Sequence, residues 1–339
     1  MNRAFLLTAL TLALSLTLGM GCLGEAPHDN PLDPNSDDFI EATEGDVDGR
    51  ITDRANEPLS DAEVRLILTS PTAQIERVAQ TDGQGAFSMT AVPQAAGYRL
   101  LASKDGYEIG MLEGIDVRAG ETTQLSTVRL NALPTITEAA FRTIHISRWW
   151  PTNDLFFLEV DVQADDADGL FDINDLVFEI PELNFAVPLD PRIAGRFDKR
   201  IRADSLPTTS LFNLLGRTLR LTVRDREGAV ASSSQQLVRV VEGTPTTVSP
   251  PRNAIIDNGL PLLTWDPFPP QFPFTYRIDI FRDESNVIIP VDQFPGIAMD
   301  VISQQVRIPL PTGSYLWTVT VVDEFGNESR SKEGGFRIP

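Results

Sequence analysis

The 339-residue sequence holds a single cysteine, Cys22, and two histidines, His28 and His145. That scarcity excludes a disulfide framework within the chain and a zinc site built from Cys and His. Positive charge is also short: 28 Lys and Arg stand against 48 Asp and Glu, a formal net charge of −20. So acidic a body is repelled by nucleic acid phosphates and anionic lipid surfaces, and no nucleic-acid partner is expected. The chain lacks a Gly-x-Ser-x-Gly elbow, a Gly-rich phosphate loop and a His-Glu-x-x-His helix, the signatures of common hydrolases, nucleotide sites and metalloproteases. His145 would serve a hydrolytic triad only if a serine and an acid converged on it, and nothing in the sequence marks them. The chain therefore reads as a non-enzyme, with no catalytic residue and no cofactor assigned. After the first two dozen residues no long apolar run recurs, so only the N-terminal segment is expected to meet a bilayer core.

That segment is the first thing present. Arg3 is the one charge before Cys22, Ala4 to Gly21 carry none, and the small Gly19 and Gly21 precede the cysteine. Residues 1–21 resemble a bacterial lipoprotein signal peptide, with Gly19 where that family usually has Leu. The resemblance implies that Cys22 is lipidated and becomes the new N-terminus, so that lipid fastens the chain to a membrane. Leu23 in place of Asp implies the outer membrane of the cell envelope. An uncleaved transmembrane helix and ordinary secretion are the competing readings. The stretch 24–45 has seven acidic residues, three prolines and no Lys or Arg. It has too little apolar surface to offset its ordering entropy, and residues 22–45 are expected to form a disordered acidic tether.

Beyond it the pattern is alternation with period two, broken by Gly, Pro, Asn and Asp, which predicts an all-β chain. Val64, Leu66 and Leu68 alternate with Arg65 and Ile67; Tyr98, Leu100 and Ala102 alternate with Arg99 and Leu101. In the same stretch stand Gly49-Arg50-Ile51-Thr52-Asp53, Glu57-Pro58-Leu59-Ser60-Asp61-Ala62, Thr81-Asp82-Gly83-Gln84-Gly85-Ala86-Phe87 and Lys104-Asp105-Gly106-Tyr107. Their order and spacing resemble the carboxypeptidase regulatory-like domain over 46–131. The resemblance implies a transthyretin-like sandwich and a non-catalytic module. Residues 132–241, with Phe156, Leu158, Val160 and Val162 on one strand face, resemble an immunoglobulin-like domain. A short helix is expected over 206–216, with Thr208 or Thr209 as its cap. Gly243 to Pro251 read as a semi-rigid linker. Residues 242–339 resemble a fibronectin type III domain through Trp265 and the Tyr315/Trp317 alternation, both tryptophans being expected in its core. The expectation is three tandem β-sandwich domains after a signal peptide and tether.

Three features invite binding chemistry. Asp165-Asp166-Ala167-Asp168-Gly169, followed by Asp172 and Asp175, reads either as a calcium loop using Asp166, Asp168, Asp172 and Asp175 or as an acidic turn bonding nearby amides. An EF-hand alignment puts Ala164 at the first ligand position and Asp175 where a bidentate Glu belongs. Trp149 and Trp150 cannot both enter one core from a strand; the spare indole is either packed at a domain junction or free to bind sugar rings. The loop carrying Phe268 and Phe272 is either a partner-binding loop or a stiff connection packing its own rings. The function expected is a membrane-anchored scaffold or protein-binding module, with a glycan-binding lipoprotein and a calcium-stiffened adhesion module as alternatives.

Overall fold

The computed structural model describes residues 43–69, 74–149, 151–208, 210–269, 272–285 and 287–339. Cys22, the leader, the tether up to residue 42, Trp150 and Thr209 lie outside the described residues. The protein is an all-β, multi-domain β-sandwich. Its contacts divide it into two units: residues up to 52, 58–103 and 110–128 form the first, and 53–57, 104–109 and 129–339 the second.

The first unit contains β1 (Glu44–Thr52), β2 (Glu63–Thr69), β3 (Gln74–Gln80), β4 (Ala86–Pro93), β5 (Ala95–Ser103), β6 (Gly110–Val117), β7 (Thr122–Gln124) and the start of β8 (Val128–Arg129). One sheet runs β4-β1-β7 with β8 also on β1; the other runs β3-β2-β5-β6. Alternation puts Val47, Ile51, Val64, Leu66, Tyr98, Leu100 and Ala102 inside, all without exposed surface. Each of the Val, Leu and Ile side chains contributes about 1.5–3 kcal/mol on burial. The turn before β4 is set by Asp82, whose carboxylate accepts the Gln84 and Ala86 N–H groups. Gly85 there has φ +71°, and a Cβ on it would fall 2.3 Å from the Ile51 carbonyl oxygen.

The second unit begins its sheets with β9 (Thr135–Ile146), β10 (Leu155–Asp165), β11 (Ile173–Ile180), β12 (Phe185–Pro188), β13 (Asp190–Pro191), β14 (Arg196–Arg202), β15 (Thr218–Asp225) and β16 (Val230–Gln236). The layers β13-β14-β10-β9 and β12-β11-β15-β16 enclose Leu158, Val160, Val162, Leu176, Phe178, Leu219, Leu221 and Val223. A second core follows on β17 (Thr247–Ser249), β18 (Ala254–Ile255), β19 (Leu262–Trp265), β20 (Phe274–Glu284), β21 (Val287–Ala298), β22 (Ser303–Gln305), β23 (Gly313–Asp323), β24 (Glu328–Arg330) and β25 (Gly334–Ile338). Trp265, Tyr276, Tyr315 and Trp317 are buried in it. Gly334 makes room for the Trp317 indole, since a Cβ there would lie 2.3 Å from Nε1.

Four expectations are corrected. Glu44 and Gly45, expected in the tether, belong instead to β1, which pairs with β4. The helix expected over 206–216 is a single 3-10 turn, Leu211–Leu214, entered from Ser210 with no side-chain cap. Leu211 and Leu214 are buried in the core beside it, so packing rather than helix propensity holds the segment. The linker is partly a strand, β17, pairing with β19. Finally, the last two sandwiches are not independent. β24 runs parallel to β9, with Ser329 opposite His145, and one ten-stranded sheet passes through both sandwiches. Each strand covers the unpaired N–H and C=O groups that the other would expose as an edge.

Candidate metal centre and a sealed polar junction

β9 and β10 form a long antiparallel hairpin, with Thr135 opposite Asp165 at one end and Ile146 opposite Leu155 at the other. A cluster of polar groups, most of them buried, sits at each end.

At the first end the chain leaves β10 through Asp166, whose Oδ1 accepts the Asp168 N–H at 2.9 Å. Gly169, at φ 112°, then leads into a 3-10 turn ending at Asp172. A third carboxylate comes from the β15–β16 hairpin. Asp225 Oδ1 accepts the Gly228 and Ala229 N–H groups, both at 2.7 Å, and its Oδ2 accepts from Asn131 Nδ2 at 2.6 Å. Asp166, Asp172 and Asp225 each offer an oxygen within 4.8 Å of the others'. Burial, then the Asp172, Asp168 and Asp225 charges, push the Asp166 carboxyl up to about 6, against the pull of the Asp168 N–H. Asp172 is also held above the ordinary carboxylate range, first by burial and then by contact with Glu227. Glu227 in turn is ion-paired with Arg54.

Two of the four carboxylates singled out by spacing thus come together, Asp166 and Asp172, and two do not. Asp168 accepts the Ala132 N–H at 2.7 Å and the Arg54 N–H at 3.2 Å, so it behaves as the amide-bonding residue of an acidic turn. Asp175 is half-buried on β11 and accepts from Asn174 Nδ2. Asp225 was missed because it lies on another hairpin. Its Asp-x-x-Gly-Ala turn gave a structural signal but no spacing signal.

At the other end His145 converges with a serine and an acid after all. Its Nε2 lies 2.8 Å from Asp154 Oδ2, its Nδ1 3.3 Å from Ser329 Oγ, and its ring stacks on Phe156 at 4.1 Å. A carboxylate only accepts, so Nε2 carries the proton facing Asp154. Relay spacing alone does not make a nucleophile. Ser329 has no exposed surface and His145 is 4% exposed. The Ser329 hydroxyl donates to the Gly243 carbonyl at 2.5 Å, so its proton is not offered to the imidazole as a general base would require. The neighbouring groups are equally committed. Asn327 Oδ1 accepts from the Thr143 N–H and hydroxyl, and Asn327 Nδ2 donates to Asp323, which also pairs with Arg239.

Of the aromatic candidates among the described residues, Phe268 and Phe272 pack against the core, whereas Trp149 is 46% exposed. Trp149 donates its indole N–H to the Glu333 carbonyl at 2.8 Å, with Lys332 and Arg252 over its ring. Phe268 and Phe272 meet Phe274 edge-on, and Arg239 lies 4.2 Å over Phe272.

Residues 46–131 match the carboxypeptidase regulatory-like domain family. Among solved structures the chain is similar to the FN1–FN3 domains of chicken CNTN1, at 9% identity and TM-score 0.33, over 83% of this chain and 90% of that one. It is similar to the fibronectin(III)-like modules of Clostridium thermocellum CbhA at 11% identity and TM-score 0.28, over 61% of this chain and 94% of that one. A tetra-tandem repeat from the extending region of a large adhesion protein gives 14% identity and TM-score 0.20, over 86% of this chain and 74% of that one. No curated protein matches the chain.

Proposed function

We propose that this protein is a non-enzymatic scaffold or protein-binding module, held at the cell envelope by lipid on Cys22, with its β-sandwiches projecting from an acidic tether. The observation that carries this reading is the β9–β24 junction. There Ser329 and His145 are buried and Asp154 stands at the surface beside them, the three hydrogen-bonded together where one sheet joins two sandwiches. Groups locked in that way stabilise a stiff body and offer no access to a substrate.

The anchor rests on the leader, on Cys22 at its end, and on the absence of any other cysteine. Leu23 in the position after it favours the outer membrane over the inner. The partner is a protein of the envelope or its surroundings. The glycan reading has less support, because the indole N–H of Trp149 is given to Glu333, and Lys332 and Arg252 lie over its ring, which is otherwise 46% exposed.

Fractionation of cells expressing the full chain tests the reading. The expected result is a membrane-bound product whose N-terminal peptide carries a diacylglyceryl-modified Cys22, and release of the Cys22→Ser variant from the lipid-anchored fraction. A native product retaining residues 1–21, or ending in an unmodified Cys22 thiol, would contradict it.

A further inference from the structure

We propose that Asp166, Asp172 and Asp225 hold a calcium ion, a site that differs from the four-carboxylate loop suggested by spacing. Two independent observations lead there. The first is the placing of the three oxygens within 4.8 Å of one another. Ligands at calcium's usual 2.3–2.6 Å can stand up to about 5 Å apart across the ion. The second is an unsatisfied buried atom. Asp166 is 5% exposed, its Oδ1 is taken by the Asp168 N–H, and its Oδ2 has no hydrogen-bond partner. Asp172 Oδ2 is buried without a partner as well. Buried polar atoms are nearly always paired, and a buried carboxylate oxygen left bare is costly. A cation held among the three carboxylates, each able to bind through either oxygen, would give the bare Asp166 and Asp172 oxygens a partner.

The donor set selects the ion. It is all carboxylate oxygen, with neither thiolate nor imidazole, which suits hard cations rather than zinc or copper. Three carboxylates, each able to bind through one or both oxygens, suit the six to eight oxygen ligands of calcium, with water completing the shell. Compensation from the protein is partial: Arg54 is ion-paired with Glu227 and also lends positive charge to Asp172. Asp225 is a preformed ligand: its carboxylate is fixed by Gly228, Ala229 and Asn131 and keeps lone-pair capacity for a metal. The ion would fasten the Asp166–Asp172 turn to the β15–β16 hairpin, two segments already joined here by the Ile173–Asp225 strand pairing and the Arg226 N–H to the Asp172 carbonyl.

The test uses the full chain in detergent, stripped with chelator, followed by calorimetric titration with calcium chloride and by thermal unfolding. The expected result is one saturable ion per chain. At a free concentration a hundredfold above Kd, the melting temperature of the second unit should rise by roughly 5 °C. Asp172→Asn should weaken binding by more than about tenfold, whereas Asp175→Asn should leave it unchanged. Asp166→Asn guards against a merely misfolded variant. In chelator it should melt no lower than the parent, because it removes a buried charge; in calcium it should melt lower. No saturable binding at millimolar calcium would overturn the proposal. So would binding that persists in both Asp172→Asn and Asp166→Asn, which would mark diffuse attraction to an acidic surface.

Discussion

The two ends of the β9–β10 hairpin bury polar groups to opposite effect. At the His145 end, the side-chain oxygens of Asp154, Asn327, Asp323 and Ser329 all have partners, and the buried atom left without one is a nitrogen, Arg330 Nε on β24. At the Asp166 end, two carboxylate oxygens have none. A satisfied cluster is complete as folded and acts as a fastener. An unsatisfied one is complete only when something else arrives. Residue types alone would have reversed the assignment, since Ser–His–Asp reads as reactive and an acidic turn as inert.

The largest expected effect lies at the satisfied end. Asn327→Ala removes the acceptor for the Thr143 N–H and hydroxyl inside the sheet, and denaturant unfolding should show a loss of about 2–4 kcal/mol. Calcium should not change that loss. At the unsatisfied end the sign reverses: in chelator, Asp166→Asn should leave stability unchanged or raise it by about 1–2 kcal/mol. Equal losses at the two ends would break the comparison.

The pH dependence sharpens it. With its pKa pushed up to about 6, Asp166 binds a proton more tightly folded than unfolded. In chelator its contribution is therefore full below about pH 4 and is lost as pH rises through about 6. The difference in stability between parent and Asp166→Asn should follow that course in urea unfolding at stepped pH. On the outer face of β14, by contrast, the Arg192 guanidinium holds Asp198 below the usual carboxylate range. Its contribution is present above the ordinary carboxylate pKa and fades as pH falls. The smallest effect belongs here: the Asp198 side chain is 39% exposed and ion-paired, so Asp198→Asn should cost under about 1 kcal/mol and be sensitive to salt.

How much of this was legible in the sequence follows from distance along the chain. Strand faces were, because alternation is local: Tyr98, Leu100 and Ala102, or Trp317, Val319 and Val321, are buried as their period demands. The β9–β24 pairing was not. Short Glu328–Arg330 carries no apolar period, and its partner stands 184 residues earlier. The same separation hid Ser329 from His145. The candidate metal site was half legible. Asp166 and Asp172 share one turn, whereas Asp225 reaches them through the pairing of β11 with β15. Asp168 fitted a ligand pattern, but the nearby Ala132 and Arg54 amides claim it.

The central claim is that the Ser329–His145–Asp154 grouping fastens two sandwiches and catalyses nothing. Treating the folded full chain with a serine-directed fluorophosphonate, then mapping adducts by mass spectrometry, tests it most directly. The account predicts no adduct at Ser329 in the folded protein and, for Ser329→Ala, lower stability with no loss of any activity. A covalent adduct at Ser329 that forms before unfolding and is abolished in His145→Ala would contradict it.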